Sequence, residues 1–184
     1  MPITKLDPVA ALITIDLQKG IAGLPTAHLA ADVIANAARL AKAFREHKLP
    51  VVLVNVGGGA PGRTDMPRPN IKFTPDWTDL VPELTPQPSD HRVTKHAFGA
   101  FLGTDLDAYL RGKGVTQIFL AGISTSVGVE STARSAYDLG YNVVFISDAM
   151  TDRVLENHKH SIEKIFPRLG EIDTTQNVLA ALAE

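Results

Sequence analysis

The stretch that decides the fold is residues 120–137, which carry the sequence LAGISTSVGVESTARSAY. The apolar run from Val115 to Leu120 leads into this stretch and predicts a buried strand. Beyond the run, apolar and aromatic residues recur at helical spacing, at Val127, Ala133, Ala136 and Tyr137. The segment therefore predicts a strand, a tight turn and a helix, in that order.

The predicted turn is rich in small and hydroxylic residues, namely Gly122, Ser124, Thr125, Ser126 and Gly128. Such residues leave backbone N–H groups free at a helix N-terminus, where the helix dipole favours negative charge. The turn is therefore a candidate oxyanion site. The alternative is that small residues only let the helix pack closely against the sheet, with Ser126 as its N-cap.

Length and composition describe one globular domain, residues 1–184, that is large enough to bury a core. Hydrophobic residues make up 45% of the chain and charged residues 21%, and the net charge of −2 argues against nucleic acid or an anionic membrane as the main partner. The apolar run Val9–Ile15 is too short for a transmembrane helix. We expect a cytoplasmic protein that binds a small-molecule substrate.

The chain contains no cysteine, which excludes disulfides, thiolate metal ligands and a thiol nucleophile. Its six histidines show no spacing that is typical of a metal site, since His158 and His160 are two residues apart and would point in different directions on a helix. We therefore predict that the protein uses no metal and no cofactor.

Strands and helices alternate along the rest of the chain. Further strands are predicted at Val9–Ile15, Val51–Val56, Arg92–Lys95, Asn142–Ser147 and Leu169–Ile172. Further helices are predicted from Thr26 to about His47, from Thr104 to Gly112, from about Val154 to Pro167, and from Thr175 to Ala183. This alternation predicts an α/β fold: a single Rossmann-like domain with a mostly parallel, six-stranded sheet and helices on both faces.

Ligands of such sheets bind beyond the carboxyl ends of the strands. Several polar or flexible segments lie at predicted strand ends, namely Asp16, Gly57–Gly59, Lys95, the turn at 124–128 and Asp148. These segments are predicted to converge on one crevice, where a buried aspartate and lysine must pair or titrate. Burial raises the pKa of Asp16 and a nearby lysine lowers it, and the sequence leaves that balance open.

Residues 57–90 form a long loop rich in glycine and proline, with a turn of helix predicted around Trp77–Leu80, and loops of this length are usually functional. The glycines at 57, 59 and 62 match a dinucleotide-binding pattern, but Pro61 prevents the helix that this pattern requires. Arg63 and Arg68 are instead predicted to bind a substrate carboxylate as paired donors. The alternative is that both arginines lie on a solvated loop surface.

A serine hydrolase is a second interpretation of the turn. Gly122, Ser124 and Ser126 nearly match the nucleophile elbow G-x-S-x-G, and Asp148 and His158 follow in the order that α/β-hydrolases use. The second glycine of the elbow is replaced by Ser126, and His158 lies on the apolar face of a predicted helix.

Together, the segments after three strands resemble the isochorismatase-like, or cysteine hydrolase, superfamily. The matching pieces are Ile15-Asp16-Leu17-Gln18, Thr94-Lys95 with Gly99-Ala100-Phe101 and Thr104-Asp105-Leu106, Ala121 to Glu130 with Thr132-Ala133, and Asp148-Ala149. They span nearly the whole chain. The resemblance implies a Rossmann-like sheet and a homodimer or homotetramer.

Most members of that superfamily hydrolyse amides with an Asp, Lys and Cys triad. The resemblance places Asp16 and Lys95 in that triad, and it places Gly128 at the nucleophile position. Because glycine offers no nucleophile and the chain has no cysteine, hydrolysis through a thioester is closed. The metal motif of the nicotinamidases is replaced by Gly57–Gly59.

True isochorismatases also lack the cysteine and cleave a vinyl ether by acid catalysis. The resemblance implies that protonated Asp16 acts as the general acid and that Lys95 orients it and holds a substrate carboxylate or ring hydroxyl. It further implies a cis peptide bond between Ile123 and Ser124. Ser124, Gln18 and Phe101, which lie in the matching segments, are predicted to contact the substrate, a small carboxylate or an enol ether. The alternative is a catalytically silent ligand-binding or scaffold protein.

Overall fold

A computed structural model describes residues 3–66 and 74–183 of the chain. Its six strands form one sheet in the order β3-β2-β1-β4-β5-β6, and every neighbouring pair is parallel. The strands are β1 (Ala10–Ile15), β2 (Val51–Val56), β3 (His91–Lys95), β4 (Gln117–Ile123), β5 (Asn142–Thr151) and β6 (Glu171–Asp173). The prediction of an α/β fold built on a six-stranded sheet is confirmed, and the sheet is wholly rather than mostly parallel.

The central strands are continuous apolar runs because a strand that is covered on both faces buries every side chain. All six residues of β1 and all seven of β4 are buried. β1 pairs with β2 on one side and with β4 on the other, so the strand order reverses between β1 and β4. This reversal opens a crevice at the carboxyl end of β1.

Helices cover both faces of the sheet. They are α1 (Lys19–Ala22), α2 (Ala30–Glu46), α3 (Leu106–Gly112), α4 (Glu130–Asp138), α5 (Leu155–His160) and α6 (Thr175–Leu182). A π-helical turn at Thr125–Val129 leads into α4, a second at Ser161–Ile165 continues α5, and 3₁₀ turns lie at Pro82–Leu84 and Phe166–Arg168. The short helix α1 has no counterpart in the predicted helices, whereas the π-helical turn at Ser161–Ile165 lies within the helix predicted from about Val154 to Pro167.

The core consists of two apolar layers, one on each face of the sheet. In one layer α2 and α6 pack on the sheet, and the Phe44 ring meets Phe119 edge to face at 5.3 Å between centroids. In the other layer α3 and α4 pack on the opposite face, where Phe145 stacks on Phe166 at 3.8 Å. The two layers cover both faces of the sheet with buried apolar side chains.

Several predicted boundaries are wrong by a few residues. α2 begins at Ala30 rather than Thr26, because the Thr26 hydroxyl donates to the carbonyl of His28 and forms a separate turn. β4 runs on through Ala121 and Gly122 to Ile123. The helical turn predicted around Trp77–Leu80 is a non-helical turn, and a 3₁₀ turn follows at Pro82–Leu84.

The largest boundary error concerns β5, which runs to Thr151 rather than ending at Ser147. The pairing of β4 with β5 shifts register between Leu120 and Gly122, so β5 bulges there and then resumes as a buried strand. Asp148 lies in this bulge and accepts hydrogen bonds from Thr175 at the start of α6. The prediction that Asp148 converges on the crevice is therefore wrong.

Candidate active site

The crevice is formed where β1 and β4 end side by side, with β2 and β3 beyond β1. Ile15, the last residue of β1, pairs with Gly122 of β4, and Lys95, the last residue of β3, pairs with Val56 of β2. Asp16 follows β1 directly. Because parallel strands bring their carboxyl ends to one edge, Asp16 and Lys95 meet there although 79 positions apart in sequence.

Asp16 is held in an unusual backbone and side-chain environment. Its φ angle is +54°, in the left-handed region that non-glycine residues rarely adopt, and its backbone N–H donates to Val54 O at 2.9 Å. The residue is 6% exposed. Its Oδ2 lies 2.8 Å from the Lys95 ammonium, whereas its buried Oδ1 has no hydrogen-bond partner among the described residues. A strained residue with one unpaired oxygen is typical of a functional site.

Lys95 approaches the carboxylate from the far side of β2. The residue is 2% exposed, and its ammonium donates to the Ala97 carbonyl at 3.1 Å as well as to Asp16. An ammonium has three donors, so one N–H of Lys95 is left for another acceptor. The pair thus presents one cationic donor and one carboxyl oxygen side by side.

The structure resolves the balance that the sequence left open at Asp16. Burial raises the pKa of this carboxyl, the neighbouring Lys95 lowers it, and burial is the stronger of the two, so that the pKa rises from 3.8 to about 6. A carboxylic acid with such a pKa holds its proton in mildly acidic solution. It can also donate that proton near neutrality.

Two glycines allow the turn after β4 to close on this pair. Gly122 has a φ of +132°, and a Cβ there would lie 2.1 Å from the Ile15 carbonyl oxygen, so no side chain fits between the ends of β1 and β4. A Cβ on Gly128 would lie 2.8 Å from Ile15 Cγ2 and 3.2 Å from Asp16 Oδ2. The sequence-predicted residues Asp16, Lys95 and Gly128 are therefore brought together.

The turn itself joins the cis peptide bond between Ile123 and Ser124 to the π-helical turn at Thr125–Val129. The backbone N–H groups of Val127 and Val129 both donate to Ser124 O at 3.2 Å. The N–H of Ser126 is bound at 2.7 Å to the carboxylate of Asp152. That N–H is thus unavailable to an oxyanion, and Ser126 is not the N-cap, because Ser124 precedes the π-helical turn.

Gln18 does not have the free polar group that substrate binding would require. Its side chain is fully buried, its amide N donates to the carbonyls of Val56 and Trp77, and its amide O accepts from Val56 N at 2.7 Å. Both amide hydrogens are used on the protein backbone. Gln18 instead ties the segment after β1 to the end of β2.

Phe101 packs against the core layer that contains α3 and α4. Its ring lies 6.0 Å from that of Tyr141, which directly precedes β5 at the amino end of the sheet. The structure thus shows Phe101 beside Tyr141, and a contact of Phe101 with the substrate stays a prediction.

Neither of the two arginines predicted to bind a substrate carboxylate has a contact with the Asp16–Lys95 pair among the described residues. Arg63 is exposed on the segment after β2, where residues 57–66 form no helix, and Arg68 lies outside the described residues. The dinucleotide pattern therefore lacks its helix within residues 57–66, as Pro61 predicted. The loop beyond β2 contributes backbone to the rim of the crevice, since Gly57 N donates to the carbonyl of Lys95.

The serine triad is not assembled. His158 Nδ1 bonds to Thr125 Oγ1 at 2.8 Å rather than to Ser124, and Asp148 bonds to Thr175 at the opposite side of β5. Burial and the adjacent His28 lower the pKa of the His158 imidazole. The serine-type interpretation therefore lacks both its base and its acid.

The sequence interpretation missed Asp152. This residue is 3% exposed, follows β5 directly and binds both the N–H and the hydroxyl of Ser126. The signal was available, since Asp152 ends the apolar stretch that continues through Ala149 and Met150. Asp148 interrupts that stretch four residues earlier, so the sequence pattern by itself predicts a strand end there.

No group of three His, Asp or Glu side chains that could hold a metal ion occurs within residues 3–66 and 74–183. Over the same ranges, no helix is long and apolar enough to cross a bilayer. The site that can be described thus consists of the Asp16–Lys95 pair and the glycine-containing turn.

Fold and site together define an α/β enzyme with an Asp–Lys pair at the switch point of a parallel sheet. Residues 10–177 match the isochorismatase domain. The isochorismatase family protein YwoC of Bacillus subtilis, described as uncharacterized, is 43% identical over 176 residues, which cover 92% of each protein. A probable isochorismatase of Pseudomonas chlororaphis is 30% identical over 181 residues, 95% of this chain and 87% of that protein.

A solved isochorismatase family protein from Burkholderia thailandensis has the same fold, with a TM-score of 0.93 and 45% identity over 97% of this chain and 98% of that one. The chain therefore belongs to the isochorismatase family, whose members are hydrolases.

Proposed function

We propose that this hydrolase cleaves a small carboxylate or enol-ether substrate by general acid catalysis at Asp16, without a covalent enzyme intermediate. The observation that carries the proposal is the buried carboxyl of Asp16, which has one oxygen on Lys95 and the other unpaired. An unpaired buried oxygen is costly unless it bears a proton or meets a ligand. Both conditions suit an acid that delivers a proton to a bound substrate.

Lys95 has two roles in this proposal. Its bond to Oδ2 fixes the carboxyl group, so the transferable proton is assigned to Oδ1, which has no partner among the described residues. Its remaining N–H donor binds an anionic or hydroxyl group of the substrate. A carboxylate bound there is oriented against the acid, because both groups are fixed by the ends of buried strands.

The absence of a nucleophile supports direct attack by water. The chain has no cysteine, and Gly128 faces Asp16 where a side chain would have to point at the carboxylate. Ser124 carries a hydroxyl in the turn, but the imidazole of His158 is bonded to Thr125. No described base is thus in place to activate Ser124.

For an enol ether the chemistry runs in two steps. Asp16 transfers its proton to the terminal enol carbon, which leaves an oxocarbenium ion at the neighbouring carbon and a carboxylate at Asp16. Water then adds to that carbon, and the resulting hemiketal breaks its bond to the ether oxygen. The products are pyruvate and the free alcohol, and the proton released from the water restores the acid. Burial of the pair in a dry crevice favours this charge migration.

The relationship to a probable isochorismatase supports isochorismate as the first substrate to test. The assay is the release of pyruvate from isochorismate, measured by a coupled reaction with the wild type and with Asp16→Ala and Asp16→Asn. We expect both substitutions to lower kcat/KM by about 10²- to 10⁴-fold, as the loss of a general acid does. Asp148→Asn, which alters an aspartate bonded to α6, is the matched control and should retain wild-type turnover.

Two outcomes would contradict the proposal. Undiminished pyruvate release by both Asp16 variants would exclude general acid catalysis at this residue. No release by the wild type would overturn isochorismate as the substrate and favour the alternative function, a ligand-binding protein that keeps the fold without the reaction.

A further inference from the structure

Asp152 is a buried acid that the proposed reaction does not use. It is 3% exposed, and no Lys, Arg or His lies within salt-bridge distance of it among the residues that the structure describes. A buried carboxylate without a cation is stabilised only if hydrogen bonds compensate for lost water. The bonds that Asp152 makes therefore indicate what it is there to hold.

Four hydrogen bonds converge on this carboxylate. Oδ2 accepts from the backbone N–H of Ser126 at 2.7 Å and from its hydroxyl at 2.8 Å. Oδ1 accepts from the backbone N–H of Arg153 at 2.8 Å and of Val154 at 3.5 Å. One oxygen is thus fixed by the start of the segment that leads to α5, and the other is devoted entirely to Ser126.

Ser126 lies in the turn that closes on the proposed acid. Two residues later, Gly128 stands so close to Asp16 that an added Cβ would lie 3.2 Å from Oδ2. The turn therefore forms one wall of the dry environment around Asp16. A second contact to the same turn, between Thr125 and His158 on α5, also holds it against the end of β5.

We infer that Asp152 is a positioning residue, which acts through Ser126 to hold the turn at 124–129 as the wall over Asp16. This inference rests on the proposed role of Asp16 as the acid. Without the two bonds to Ser126 the turn moves outward, water reaches the carboxyl of Asp16, and the acid loses the burial that raises its pKa.

The test is the titration of Asp16 itself, followed by the ¹³C shift of its carboxyl carbon in labelled protein. Lys95 is the charged side chain in contact with Asp16, and it is unchanged in every variant. In Asp152→Asn we expect the titration midpoint of the Asp16 carboxyl to fall below the wild-type value by at least about half a pH unit, because solvation favours the ionised form. The chemical-shift dispersion of the backbone amide resonances shows whether each variant is folded.

Ser126→Ala separates positioning from a direct charge effect. It removes the hydroxyl bond to Asp152 and keeps the negative charge, so positioning predicts a smaller shift in the same direction. It also serves as the test if Asp152→Asn does not fold. Asp148→Asn is the matched control, since Asp148 likewise binds the N–H and hydroxyl of one threonine but holds α6 instead of the turn.

The inference is supported if the titration midpoint of Asp16 falls in both Asp152→Asn and Ser126→Ala and stays unchanged in Asp148→Asn. A shift in Asp152→Asn alone would mean that only its charge acts on Asp16, and an unchanged midpoint would mean that the turn does not shield the acid. Either result overturns positioning by Asp152. The titration needs no substrate, so it stays separate from the pyruvate assay that tests the proposed function.

Discussion

At the scale of single residues, Asp16 combines several features that lower the stability of the folded protein. Asp16 occupies a left-handed backbone conformation, is buried with a single cation, and leaves Oδ1 without a partner. Each of these features is unfavourable for folding, and such features persist where function requires them. Lys95 only partly offsets the burial, since the pKa of Asp16 still rises to about 6.

The raised pKa of Asp16 predicts how the stability of the protein depends on pH. The pKa of Asp16 is about 6 in the folded protein against an ordinary value of 3.8, so the folded state binds the proton more tightly. The stabilisation is fully present below about pH 3.8 and is lost as the pH rises through about 6. We expect the loss to be about 3 kcal/mol of unfolding free energy, at 1.36 kcal/mol for each pKa unit.

The measurement is urea unfolding of the wild type and of Asp16→Asn across this pH range. Asparagine does not titrate, so the other ionisable groups cancel in the comparison. The wild type should lose stability relative to the variant between about pH 4 and pH 7. A constant difference over that range would show that Asp16 has an ordinary pKa in the folded protein.

At the scale of secondary structure elements, the last strand boundary matters most for function. β5 bulges opposite Leu120 and continues to Thr151, so Asp148 within the strand and Asp152 just after it serve different elements. Asp148 binds Thr175 at the start of α6, and Asp152 binds Ser126 in the turn before α4. A strand that ended at Ser147 would have placed the wrong carboxylate in the crevice.

Asp148→Ala tests this division. The substitution removes the acceptor for the N–H and hydroxyl of Thr175 in the first turn of α6, so we expect a loss of about 1 kcal/mol, as for other helix N-terminal acceptors. Denaturant unfolding measures the loss. Turnover should be unaffected, and a large loss of activity in folded protein would show that Asp148 does belong to the crevice.

At the scale of the whole molecule, the doubly wound sheet explains why the site lies where it does. The strand order reverses between β1 and β4, so the connections leave in opposite directions and a crevice opens between them. Several large apolar side chains remain exposed, among them Leu29, Phe98 and Leu102, at 72%, 69% and 74%. Phe98 and Leu102 lie four positions apart in the segment after β3, so they are the exposed apolar side chains to test for association.

The homodimer or homotetramer implied by the family resemblance remains a prediction. Sedimentation equilibrium should give a mass of two or four times the 19.7 kDa of the chain. Phe98→Ser and Leu102→Ser, which change exposed side chains, would lower that mass if the segment after β3 forms the contact. A mass of one chain at micromolar concentration would contradict the prediction.

Much of this molecule follows from its sequence alone. The continuous apolar runs predicted the buried strands, their alternation with helices predicted the parallel sheet, and the motifs after β1, β3 and β4 identified the family and the residues Asp16, Lys95 and Gly128. These features are local, because the period and length of an apolar run depend on what the same few residues bury.

The tertiary structure decided the partners of individual polar groups. It determined that burial outweighs Lys95 at Asp16, that Gln18 is used on the backbone of Val56 and Trp77, and that Asp152 rather than Asp148 reaches the turn. A hydrogen bond joins segments far apart in the chain, and its geometry depends on how the crossovers place them. A sequence pattern reports that a side chain is buried, whereas only the packed fold fixes which atom it meets.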